Sequence, residues 1–108
     1  MNSIENCTIE NINDASGNPG SGAVKGVGLD IAWQNGPLGR EPHRTPPNGA
    51  FVETVLSAVL QRIQYYQDSP FGCRENAIAI TKIEEALLWL DKRTRDRETR
   101  QIEGTHTV

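Results

Sequence analysis

The stretch from Pro70 to Arg97, PFGCRENAIAITKIEEALLWLDKRTRDR, constrains the fold more than any other part of the chain. Ile80, Ile83, Leu87 and Leu90 recur at steps of three and four, with Ala77, Ile78 and Ala86 beside them. That spacing puts one apolar stripe on a helix and predicts a helix over residues 73–100. A stripe of this kind needs a partner to bury it. Residues 49–67 supply one, because Val52, Val55, Leu56, Val59, Leu60 and Ile63 share a wide apolar face. Asn48 is the expected N-cap of that first helix, and Asp68-Ser69-Pro70 ends it. About six residues join the two segments, which favours an antiparallel hairpin. The first helix carries more apolar surface than the seam uses. The surplus calls for cover from an upstream strand, from Trp33 or from a second subunit.

Upstream of the hairpin the pattern changes. Residues 1–12 are polar and hold at most one short strand. Residues 13–22, NDASGNPGSG, read as a flexible loop. In residues 23–33, Val27, Leu29, Ile31 and Trp33 alternate with smaller or polar residues, the period of a half-buried strand. The run PLGREPHRTPPN holds four prolines and is read as an extended loop. The expected organisation is a flexible N-terminal arm over 1–26 and one domain over 27–108, with strand and loop at 27–48 and helices at 49–67 and 73–100. The fold class is α+β: short N-terminal antiparallel strands packed on a long antiparallel helical hairpin. At 108 residues the core is modest, so the protein is expected to be oligomeric.

Charge and composition narrow the chemistry. The net charge is −3, with seven basic and seven acidic side chains in residues 73–108, so no basic excess marks a DNA-binding surface. The two cysteines, Cys7 and Cys73, lack the spacing of a zinc site, and no metal or cofactor is expected. The polar start MNSIENCTIE does not resemble a leader, and no apolar run suits a membrane span. The expectation is therefore a cytoplasmic protein. His43 and His106 have no nucleophile or acid partner by spacing, and they read as exposed polar residues. Glu84 and Glu85 point about 100° apart on a helix, so they do not share one site. Gly26 and Gly28 in KGVGLD lack the third glycine and the following helix of a phosphate loop. They fit a strand with a close backbone approach. No catalytic residue is assigned.

Three features bear on binding. In CRENA, Glu75 and Asn76 sit in the first turn of the second helix. This start suits either ordinary capping or an anion at the free N–H groups. In RTRDR, Arg93 and Arg97 share a face and Arg95 points away. The pair suits either a salt-bridged surface or bidentate recognition of a phosphate. Tyr66 lies on the apolar register of the first helix and is either core or a platform for a base. Asn76 and Arg93 are seventeen residues apart, about 25 Å along one helix. One small nucleotide therefore touches both only if they come from different subunits.

The block from Pro70 to Arg97, the following IEGTHTV, and the upstream WQNGP and NGAFVETVLSAVLQRIQYYQ resemble a phage family whose members read CRENALAITKLEEALMWLxxRTxxR and VEGTH. The resemblance covers residues 27–108. The family is the superfamily of Thoeris anti-defence protein 1 and anti-CBASS protein 2, cyclic-nucleotide sponges with a shared helical hairpin, and the Thoeris type is the more similar. Membership implies a phage protein, acting in the host bacterial cytoplasm, that is not an enzyme. It implies capture of an immune signal, glycocyclic ADP-ribose, between subunits of a dimer or hexamer. It also implies separate pockets for cyclic di- or trinucleotides in some members. Carried onto this chain, the ligand-binding positions are Tyr66, Asn76, Arg93 and Arg97, with Arg74 and Lys82 for the second kind of pocket. The proline-rich loop at 37–48 departs from the short Gly-Val-Asn-Gly segment of some members. A rival reading is a protein–protein interaction module that inhibits a host protein directly.

Overall fold

A computed structural model describes residues 6–39 and 42–99. Three strands precede two helices: β1 Thr8–Asn13, β2 Pro19–Gly26, β3 Leu29–Ala32, α1 Val52–Gln67 and α2 Arg74–Thr99. The strands form one antiparallel sheet in the order β1-β2-β3, so the class is α+β. The chain divides into two compact units at Phe51 and Val52.

Two expectations about the N-terminal region are corrected. Residues 8–26 are not a flexible arm but two paired strands, with Ile9 opposite Val24 and Thr8 opposite Lys25. Composition hid them because the loop between them is locally self-satisfied. The Asp14 carboxylate accepts from the amides of Ser16 at 2.9 Å and Asn18 at 3.0 Å, and Gly17 takes a φ of +82°. An Asx turn of this kind fixes a hairpin that Asn, Ser and Gly content alone presents as loose. Residues 23–33 are likewise not one strand. Val27 and Gly28 form a two-residue turn between Gly26 and Leu29, with φ of +73° at Gly28 and Val27 fully exposed at its tip.

The first unit closes on an amide clamp. The Trp33 amide donates to Gly22 at 3.0 Å, and a parallel bridge joins Trp33 to Ala50 through bonds of 2.9 Å and 2.7 Å. The Asn48 side chain accepts from the Asn35 amide at 2.8 Å and donates to the Asn35 carbonyl at 3.2 Å. The Asn48 amide in turn donates to Gln34 Oε1 at 2.9 Å. Asn48 is therefore not the N-cap of α1. Its side chain is spent on Asn35, and the helix begins only at Val52. The proline-rich loop leaves and returns at this clamp, and Thr45 closes it further by donating its amide to the Leu38 carbonyl at 2.7 Å.

In the second unit α1 and α2 pack on each other and are joined by residues 68–73. Val55, Leu56, Leu60 and Ile63 of α1, and Ala79, Ile80, Ile83, Ala86, Leu87 and Leu90 of α2, are half-buried, whereas Val52 and Val59 of the expected apolar face, and Ala77 and Ile78 beside the stripe, are exposed. At 1.5 Å per residue the 16 residues of α1 span about 24 Å and the 26 residues of α2 about 39 Å. No described residue is fully buried, and Leu88 and Trp89 of α2 are 66% and 64% exposed. No described helix is long and apolar enough to cross a membrane.

Gly49 shows how tight the clamp is: a Cβ there would lie 2.5 Å from the Trp33 carbonyl carbon and oxygen and 2.7 Å from the Ala32 carbonyl oxygen. Gly49→Ala should therefore cost about 1–3 kcal/mol, as overpacking does. Urea unfolding should register a lower midpoint, whereas a value equal to wild type would mean the clamp yields freely.

Candidate functional site

The turn end of the hairpin gathers three of the residues singled out by sequence, and its geometry is set by Gln67. This last residue of α1 accepts from the Cys73 amide at 2.9 Å and donates to the Cys73 carbonyl at 3.0 Å. One side-chain amide thus pairs both backbone groups of Cys73, the residue just before α2. Gly72 is required beside it, since a Cβ there would meet the Gln67 carbonyl oxygen at 2.5 Å. The Ser69 hydroxyl donates to the Tyr66 carbonyl and accepts from the Phe71 amide, which ties the turn to the end of α1. Cys73 then caps α2: its carbonyl accepts from Ala77 at 3.2 Å and its Sγ from the Asn76 amide at 3.4 Å. The helix start at Asn76 is therefore an ordinary cap made with a weak sulfur acceptor. The Asn76 side chain is half-buried beside it, and Arg74 is exposed.

Tyr66 lies on the last turn of α1, so it shares this end of the hairpin with Asn76. It is not core: 44% of it is exposed, and its neighbour Tyr65 is 59% exposed. The two rings lie 5.9 Å apart and tilted by 56°. The Arg62 guanidinium sits 4.7 Å from the centre of the Tyr66 ring and 5.0 Å from that of Tyr65. Arg62 Nε also donates to the Tyr66 hydroxyl at 3.0 Å. Sequence reasoning missed Arg62 and Gln67. The signal for Arg62 was present as spacing, because residues three and four apart on a helix are neighbours.

Arg93 and Arg97 stand at the other end of α2, about 25 Å and about 32 Å from Asn76 along the helix. Around them the charges sort into pairs. Arg95 is bound to Asp91, and Lys92 Nζ lies 2.7 Å from Asp96. Asp96 therefore serves Lys92, four residues before it. Arg93 is exposed and makes no hydrogen bond or ion pair among the described residues, while Arg97 is half-buried and already engaged. Lys82 and Arg74 flank a third place, a shallow groove of about 360 Å³ floored by Ala77, Ile78 and Thr81 on the exposed side of α2. One chain thus brings Tyr66, Asn76 and Arg74 to the turn end and does not bring Arg93 and Arg97 to them. His43 is exposed, as expected, and His106 lies outside the described residues. No cluster among the described residues could hold a metal ion.

The turn of the hairpin thus carries exposed tyrosines and an amide, and its far end carries arginines. Residues 25–95 match the family model of the Acb2/Tad1 hairpin domain, and the chain belongs to that family. Among its relatives is Thoeris anti-defense 1 of Bacillus phage SBSphiJ7, 59% identical over 59 residues. The match takes in 55% of this chain and 42% of that relative, so this chain aligns with less than half of the relative's length.

The Gln67 bridge gives a direct expectation. Gln67→Leu keeps the size of the side chain but removes both bonds to Cys73, at about 0.5–1.5 kcal/mol each. Stability should fall by about 1–3 kcal/mol, and hydrogen exchange at the Cys73 amide should quicken well before that of mid-helix amides. Unchanged protection at Cys73 would show that the bridge does not hold the turn.

Proposed function

We propose that the protein is a phage anti-defence protein that binds a bacterial immune signalling nucleotide, glycocyclic ADP-ribose, and holds it intact. The observation that carries this reading is the pairing pattern at the end of α2. Asp91 and Asp96 neutralise Arg95 and Lys92, and Arg93 is left exposed without a carboxylate among the described residues. A guanidinium with its donors unspent suits a pyrophosphate, which it can grip with two parallel bonds. The name of the phage relative, Thoeris anti-defense 1, supports the biological setting. In this reading Tyr66 stacks on the base, Asn76 bonds base or ribose through its donor and acceptor, and Arg93 and Arg97 clamp the phosphates.

Because the two groups are about 25 Å apart in one chain, each pocket is completed by a second copy. Antiparallel apposition of two α2 helices places the turn end of one beside the arginine end of the other, in a dimer or as the repeating contact of a hexamer. The lack of a fully buried described residue in a single chain supports such an assembly. The Arg74–Lys82 groove, two cations over an apolar floor, is the place for a cyclic di- or trinucleotide. The action takes place in the host bacterial cytoplasm. No catalytic step is needed, since retention alone removes the signal. The affinity must then be well below micromolar, because micromolar binding is worth only about −8 kcal/mol and would lose to a dedicated effector.

A second reading, a protein–protein interaction module, is favoured by Leu88 and Trp89, whose side chains are largely exposed between Glu85 and Lys92. Capture and release separates the two. The purified protein is mixed with glycocyclic ADP-ribose, freed of unbound ligand, heated, and the released compound identified by mass spectrometry. Intact recovery is expected from wild type, with Arg93→Ala and Arg97→Ala each weakening retention at least about tenfold, as loss of a charged hydrogen bond does. Recovery of a hydrolysed product would overturn sequestration. A folded protein that retains nothing would favour the interaction module.

A further inference from the structure

We infer that Arg62 is a positioning residue of the nucleotide site, which backs the Tyr66 ring and offers its free N–H donors to a phosphate of the bound nucleotide. The inference rests on the reading that Tyr66 receives a base, and it names a residue that reading does not use.

Arg62 is the one cation of α1, whose only other charged residue is Glu53, two and a half turns away. The positions three and four residues from Arg62 are Ala58, Val59, Tyr65 and Tyr66, so the helix surface offers no acid where an exposed arginine ordinarily finds one. The guanidinium takes the tyrosines instead. It lies 4.7 Å from the Tyr66 ring centre and 5.0 Å from that of Tyr65, within reach of the π-cloud of each. Its Nε is spent on the Tyr66 hydroxyl at 3.0 Å. The two Nη groups make no hydrogen bond or ion pair among the described residues, so up to four N–H donors remain on a planar fork.

This arrangement has two consequences for a ligand. The hydrogen bond to the hydroxyl and the contact with the ring fix the tilt of Tyr66, an exposed side chain that would otherwise pay rotamer entropy on binding. The cation against the ring also draws on its electron density, which favours stacking of an electron-rich purine on the remaining surface. The unspent fork then lies beside the base, at the turn end of the hairpin, where Arg93 and Arg97 of the same chain do not reach. A nucleotide whose base stacks on Tyr66 carries its phosphates within a few ångströms of that base, and Arg62, in contact with the ring itself, is placed to meet them from the α1 side.

The test compares wild type with Arg62→Met, Arg62→Lys, Tyr66→Phe and the Arg62→Met, Tyr66→Phe double variant. Affinity for glycocyclic ADP-ribose is measured by calorimetry at low and high sodium chloride, and thermal melts confirm that each variant folds. Arg62→Met should bind about tenfold or more weakly, with a smaller loss of affinity as salt rises, and Arg62→Lys should recover part of the affinity and the salt sensitivity. Tyr66→Phe, which keeps the ring but removes the acceptor of Arg62 Nε, should weaken binding about threefold when Arg62 is present and not at all in the Arg62→Met background. Wild-type affinity in Arg62→Met, or equal cost of Tyr66→Phe in both backgrounds, overturns the role of Arg62 while leaving the sequestration reading in place. Absence of binding by wild type overturns both.

Discussion

Asn76 and Arg93 lie on one straight helix, about 25 Å apart, and that separation governs everything else the hairpin can do. A rigid helix cannot fold back to bring its ends to a common ligand. In the function proposed here, the amide and aromatic ring at one end and the guanidinium groups at the other are two half-sites. Each half is well made locally. Gln67 locks the turn onto Cys73, Arg62 holds Tyr66, and Asp91 and Asp96 absorb the neighbouring cations so that Arg93 is left unspent.

The energetics of the single chain agree with this division. The seam between α1 and α2 half-buries leucines and isoleucines, but no described side chain reaches full burial. A half-exposed apolar stripe contributes only part of the roughly 1.5–3 kcal/mol that complete burial of each such side chain can yield. In the proposed assembly, a second copy that completes the ligand site would also cover apolar surface, and assembly and binding would reinforce each other. In a site shared as proposed, specificity would come from two chains at once, because a ligand would have to match both halves to be held.

Much of the hairpin was legible in the sequence because its signals are redundant. The apolar stripe through Ile80, Ile83, Leu87 and Leu90, the short connection, and the charged end of α2 all point the same way, and the helices differ from expectation only at their ends. Asn48 illustrates why the ends were harder. An asparagine before a helix reads as a cap, yet its amide serves Asn35, thirteen residues earlier in the chain, a partner that no local pattern reveals. The sheet was legible only in part. Its hairpins depend on Asp14 bonding to Ser16 and Asn18, and on positive φ at Gly17 and Gly28. In composition those residues look like a linker. At the site, the apolar register left Tyr66 open between core and an exposed ring, and its position in the last turn leaves it exposed under Arg62. The proposed ligand class comes from the family resemblance alone, and spacing offers nothing for it.

The most direct test of a site shared between two copies is complementation between subunits. An Asn76→Ala chain and an Arg93→Ala, Arg97→Ala chain are each expected to retain no glycocyclic ADP-ribose. Unfolded together and refolded as a mixture, they should regain binding, because a mixed pair contains one pocket with both halves intact. For random pairing of a dimer, about a quarter of all sites should return. Recovery near that fraction is the result predicted for half-sites joined across two chains. No recovery from a mixture that demonstrably exchanges subunits would contradict it and place the whole site within one chain.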